Sequence, residues 1–119
     1  MDSQIQEITQ KAAELGKLMA DCPASKAYLK ARRELQSDEQ ARKLTEDYQQ
    51  QIQKVGELEQ SGKPVEPEDK RKLADLQQQV ASNPTLKAWM KAQVDFSELM
   101  HRVNEGISEP FKDEQAPEN

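Results

Sequence analysis

Ile5, Ile8, Ala12, Leu15, Met19 and Cys22 recur at alternating spacings of three and four over the first part of the chain. That spacing draws an apolar seam along one side of a helix and suits near-parallel helix packing. Ser3 and Gln6 form a capping-box pair that predicts the helix start, and Asp21 with Pro23 marks a break, because proline fits a first helical turn but not an interior. A short helix follows, with Tyr28, Ala31 and Leu35 on one face and Lys26, Lys30 and Arg33 on another. Ser37 and Gln40 make a second capping box, with Asp38 and Glu39 complementing the helix dipole.

The third helix is predicted from about Asp38 to about Gln60, with Ala41, Leu44, Tyr48, Ile52, Val55 and Leu58 as its stripe. Gln51 occupies a place where a strict heptad wants an apolar residue. Gly62 suits a left-handed helix end, Pro64 blocks continuation and Pro67 opens the next helix. The fourth helix carries Leu73, Leu76 and Val80. Ser82 or Asn83 then caps a fifth helix, opened by Pro84 and running to about residue 108, with Leu86, Trp89, Met90, Phe96, Met100, Val103 and Ile107 as its apolar set. No stretch alternates as a strand would. The pattern predicts an all-α fold: a helical bundle built on a long antiparallel hairpin with its tip at residues 61–66, plus a shorter N-terminal helix pair. Residues 1–108 are expected to form a single domain, and 109–119 an acidic, proline-containing tail that is disordered beyond Phe111.

Composition sharpens this picture. Apolar residues make up 34% of the 119 and charged residues 33%, with a mean hydropathy of -1.01. Apolar side chains are therefore scarce and confined to narrow stripes, a thin core that favours burial of some apolar surface against a second copy or a partner. A net charge of -5 makes bare nucleic acid a poor default ligand. A single cysteine, Cys22, excludes an intrachain disulfide. The chain has no apolar run able to span a bilayer, and its opening residues lack the basic and apolar regions of a signal peptide. A cytoplasmic protein without membrane insertion is expected.

The stretch from "YLKARRELQSDEQARKLTEDY" through "SGKPVEPEDKRKL" and "SNPTLKAW" to "ISEPF" resembles the YlbF/YmcA family of small bacterial helical proteins. The "GKPVEPED" loop and the late "ISEPF" are most similar to its YheA-like branch. The likeness runs from Ile5 to about Phe111 and rests on spacing and residue class at positions such as Tyr28, Leu35, Asp38, Gly62, Leu73 and Val103. It implies a cytosolic, non-enzymatic helical protein that oligomerises. In the best-studied branch it implies membership of a complex regulating competence, sporulation, biofilm formation and RNA processing. Regulatory members often carry a cysteine-rich C-terminal tail, whereas residues 109–119 here contain no cysteine.

Candidate chemistry is sparse. Trp89 shares a helical face with Leu86, Phe96 and Met100, where an indole would bury on the order of 200 Å² as a packing anchor. A stacking platform would need further aromatics and a basic surface, and only Lys87 and Lys91 flank it. His101 and Cys22 stand far apart without ligand spacing, so neither a metal nor a cofactor is expected. Acidic pairs such as Glu46/Asp47 fall on helix starts or solvated faces rather than in a catalytic pocket. The leading expectation is a non-enzymatic regulatory or protein-interaction module that forms a homodimer, with Ile8, Leu15, Leu18, Met19 and Tyr28 as the candidate interface and a further protein partner in a regulatory complex. The alternative is an RNA-associated accessory factor using Lys30, Arg32, Arg33, Arg42 and Lys43.

Overall fold

A computed structural model describes residues 2–112. Five helices follow one another: α1 (Asp2–Asp21), α2 (Pro23–Ser37), α3 (Glu39–Gln60), α4 (Pro67–Ser82) and α5 (Pro84–Ser108), then a 3-10 turn at Glu109–Phe111. The fold is all-α, with no strand among the described residues. Residues 113–119, most of the expected acidic tail, lie outside those described.

Chain breaks fall where backbone chemistry requires them, with two corrections to the expected caps. Asp2 is already helical, which puts Ser3 inside the first turn rather than ahead of it. Asp38, not Ser37, caps α3: its backbone is extended and its Oδ1 accepts from the Ala41 N–H at 3.0 Å. The Ser37 hydroxyl instead turns back to the Arg33 carbonyl at 3.0 Å. A carboxylate competes better than a hydroxyl for exposed N–H groups at the positive end of a helix. Asn83 rather than Ser82 caps α5, its Oδ1 accepting from the Leu86 N–H at 3.0 Å.

The end of α3 is a Schellman turn. Lys63 N–H donates to the Leu58 carbonyl at 2.9 Å and Gly62 N–H to the Glu59 carbonyl at 3.2 Å. Gly62 sits at φ 71°, a left-handed value that a Cβ would oppose.

Contacts gather the chain into two units. One runs from Lys30 to Lys91 and contains the antiparallel α3–α4 hairpin. Its inward line on α3 follows strict three–four spacing through buried Ala41 and Gln51 and half-buried Leu44, Tyr48, Val55 and Leu58. Gln51 thus takes the inward place, only 3% exposed, and the expected stripe residue Ile52 is left 45% exposed. The glutamine is tolerated because its Nε2 donates to the Asp69 carbonyl on α4 at 2.9 Å, so the buried amide is not left unsatisfied. One turn on, Lys54 Nζ reaches the Asp69 carboxylate at 3.0 Å. These two bonds fix the level at which α4 starts beside α3. Near the other end of the hairpin, Asp38 Oδ2 accepts from the Thr85 hydroxyl at 2.7 Å and ties the start of α3 to the start of α5.

The second unit comprises α1, the beginning of α2 to Leu29, and α5 from Ala92 onward. Among the described residues the buried apolar set is small: Ala31, Ala41, Leu76, Leu86 and Ala92. Small side chains dominate it, which agrees with a chain whose apolar residues are few.

Candidate interaction surface

α1 is 20 residues long and buries none of them. The periodicity that forms it is genuine, since Ile5, Ile8, Ala12, Leu15 and Met19 return to one side every three or four residues, with Cys22 just past its end. What that side lacks is a cover. On that side Ile5 is 60% exposed and Ile8 67%, with Leu18 on the flank 72% exposed, while Leu15, Met19 and Cys22 are half-buried. Val94 and Ile107, both on the α5 portion of the same unit, are also exposed. An amphipathic helix with an uncovered apolar stripe leaves its main source of stabilisation unused, because a helix in water is held chiefly by packing that stripe.

The C-terminal half of α1 borders a cleft of about 240 Å³. Gly16, Met19 and Ala20 line one side, with Tyr28 and Leu29 from α2 and Phe96 from α5 opposite. Tyr28 and Phe96 stack at 4.4 Å between ring centres and 16° between planes, making a flat aromatic wall. Gly16 and Ala20 fall one turn apart on α1, and a Cβ placed on Gly16 would meet nothing within 4 Å. Ser25, three residues into α2, also lines the cleft. It is 5% exposed, and its hydroxyl has no hydrogen-bond partner. An unsatisfied buried hydroxyl costs roughly 1–3 kcal/mol.

Of the candidate interface residues, Met19 and Tyr28 meet in this cleft, whereas Ile8 and Leu18 stand on α1 outside it and Leu15 lies along the seam between. The sequence pattern did not single out Gly16, Ala20, Ser25 or Phe96 as site residues. Small residues four apart, followed by "CPAS" at a helix start, were the available signal. Trp89 is half-buried on α5.

The remaining chemistry is that of solvated helix faces. His101 Nε2 pairs with Glu105 at 2.6 Å, one turn on and exposed. Lys30 faces Glu34 at 4.0 Å and Lys43 faces Asp47 at 3.7 Å, so two of the five basic residues proposed for RNA sit beside carboxylates. Among the described residues, Asp38 and Asp69 are the carboxylates with displaced titration. The Thr85 hydroxyl and then the Ala41 N–H hold Asp38 below its ordinary value, and Lys54 does the same for Asp69, assisted by Gln51. Both serve helix packing. No group of three or more potential metal ligands converges among the described residues, and no helix there is long and apolar enough to cross a membrane.

Among relatives, a UPF0342 protein of Streptococcus pyogenes serotype M4 is 28% identical over 108 residues, covering 91% of this chain and 96% of the relative. A UPF0342 protein of Streptococcus uberis is 26% identical with the same coverage, and one from S. pyogenes serotype M5 is 27% identical. The family described as "Control of competence regulator ComK, YlbF/YmcA" matches residues 8–112, nearly the whole of the described structure. The chain therefore belongs to the YlbF/YmcA family.

Proposed function

We propose that this protein is a non-enzymatic, cytoplasmic regulatory module that acts by binding other proteins through its helical surfaces, and that it works as a homodimer. The observation that carries the reading is α1: twenty residues of amphipathic helix with no buried side chain and with Ile5, Ile8 and Leu18 each at least 60% exposed. Exposed apolar residues gathered along a helix, here Ile5 and Ile8 on the seam and Leu18 on its flank, are a common mark of a protein-binding surface. Two-fold dimers are the commonest way for soluble proteins to cover such a face. The family's description as a control element for a competence regulator supports a role exercised through protein contacts. Trp89 serves this scaffold as a packing anchor, its indole half-buried on α5.

Light-scattering mass of the wild-type chain and of Ile8→Glu at micromolar concentration tests the reading. Dimeric mass for the wild type and monomeric mass for the variant are expected. A monomeric wild type refutes self-association, and a dimer indifferent to Ile8→Glu removes α1 from the interface.

A further inference from the structure

Gly16 has no conformational or steric reason to be a glycine within this chain. It lies inside α1 without a left-handed φ, and a Cβ there would meet nothing within 4 Å. Glycine in a helix interior costs stability relative to alanine. Together with Ala20 one turn on, the missing side chain leaves open the cleft of about 240 Å³ that α1 shares with the Tyr28–Phe96 stack. Every residue lining that cleft belongs to the unit made of α1, the beginning of α2 and the later part of α5.

The walls select the chemistry of an occupant. Tyr28 and Phe96 present their stacked rings, and Met19 brings a polarisable thioether from α1, a combination that favours an aromatic ring. The bare backbone at Gly16 lets a flat group come close to the helix. Among the described residues that line the cleft there is no Asp, Glu, Lys or Arg, so a charged ligand would be buried without a counter-ion. Ser25 adds one specific demand: it lines the cleft, is 5% exposed, and its hydroxyl has no partner in the chain. A hydroxyl both donates and accepts, so a ligand hydroxyl satisfies it in either sense. Size sets the rest. An apolar cavity of about 150 Å³ holds benzene. The cleft of about 240 Å³ therefore takes one ring with about three further atoms, and is too small for a nucleotide or similar cofactor.

We infer that this cleft is a binding site for a small uncharged phenol, its ring against Tyr28 and Phe96 and its hydroxyl bonded to Ser25. The site stands apart from the homodimer reading and rests on different observations. The test titrates the isotope-labelled chain with para-ethylphenol and with ethylbenzene, following the amide resonances of Met19, Ser25 and Phe96. Both compounds should shift these resonances saturably. Ser25→Ala should lower the preference for para-ethylphenol over ethylbenzene by about fivefold, the worth of one hydrogen bond, with the ethylbenzene affinity unchanged. That variant loses an unpartnered hydroxyl, so it should unfold no earlier than wild type. Gly16→Leu, whose side chain enters open space, should keep helix content and weaken both compounds by about tenfold or more. Absence of saturable shifts at the cleft overturns the site, as does a preference indifferent to Ser25→Ala or binding indifferent to Gly16→Leu. If neither compound binds while Gly16→Leu changes the particle mass in solution, a polypeptide side chain fills the cleft and the small-molecule assignment falls.

Discussion

Replacing Gln51 by alanine tests whether the α3–α4 pairing is held as the structure indicates. The side chain is 3% exposed and its amide donates to the Asp69 carbonyl at 2.9 Å. Removing it deletes one hydrogen bond with a net value of about 1 kcal/mol. It also deletes one buried methylene of the stem, Cγ, at ~0.8 kcal/mol. Glutamine and alanine differ little in helix preference, so the total loss should be ~2 kcal/mol. Gln51→Met separates the two contributions, because methionine keeps the length and packing of the stem and loses only the bond. The Asp69 carbonyl lies within α4 and keeps its helical partner, so no buried group is stranded, and this variant should remain within ~1 kcal/mol of wild type. Urea unfolding followed by circular dichroism reads both values, with unchanged m showing that the denatured state is unaffected. A Gln51→Ala variant as stable as wild type, or Met losing as much as Ala, would refute the reasoning.

Gly62→Ala should destabilise by ~1–2 kcal/mol, measured in the same way, because the residue stands at φ 71° and alanine is strained there. The Asp38 carboxylate is held below its ordinary value of 3.8 by Thr85 and Ala41, so its stabilisation is present above that value and is lost as pH falls through the depressed folded value. Asp38→Asn should accordingly flatten the fall in thermal stability below about pH 4, whereas an unchanged acid limb would rule out this linkage. Trp89 is half-buried, so Trp89→Ala should lose about 2 kcal/mol, short of the 3–5 of a core tryptophan. Native emission matching that of a free indole would contradict even this partial burial.

Much of the fold was legible because proline, glycine and three–four spacing act locally. Pro23, Pro67 and Pro84 each open a helix, and Gly62 ends one, as their backbone preferences require. The caps were less legible. Ser37 and Asp38 are adjacent and both are good N-caps; the stronger acceptor charge of the carboxylate and the tertiary bond from Thr85 to Asp38 together distinguish them. Gln51 breaks the apolar pattern, and its inward position became intelligible once Asp69 was placed across from it, 18 residues later in the chain. Likewise the seam of α1 was plain from spacing, but the cleft beside it was not. It depends on Ser25 and Phe96, 71 residues apart, meeting α1 in one unit. Periodicity reports which face of a helix is apolar; it does not report what, if anything, covers that face.

Sedimentation equilibrium of the unmodified chain at micromolar concentration addresses self-association through α1 most directly. The account predicts a mass twice the 13.6 kDa of one chain, falling toward the single-chain value when Ile8 is replaced by glutamate. A single-chain mass across the concentration range, with α1 still helical by circular dichroism, would contradict it.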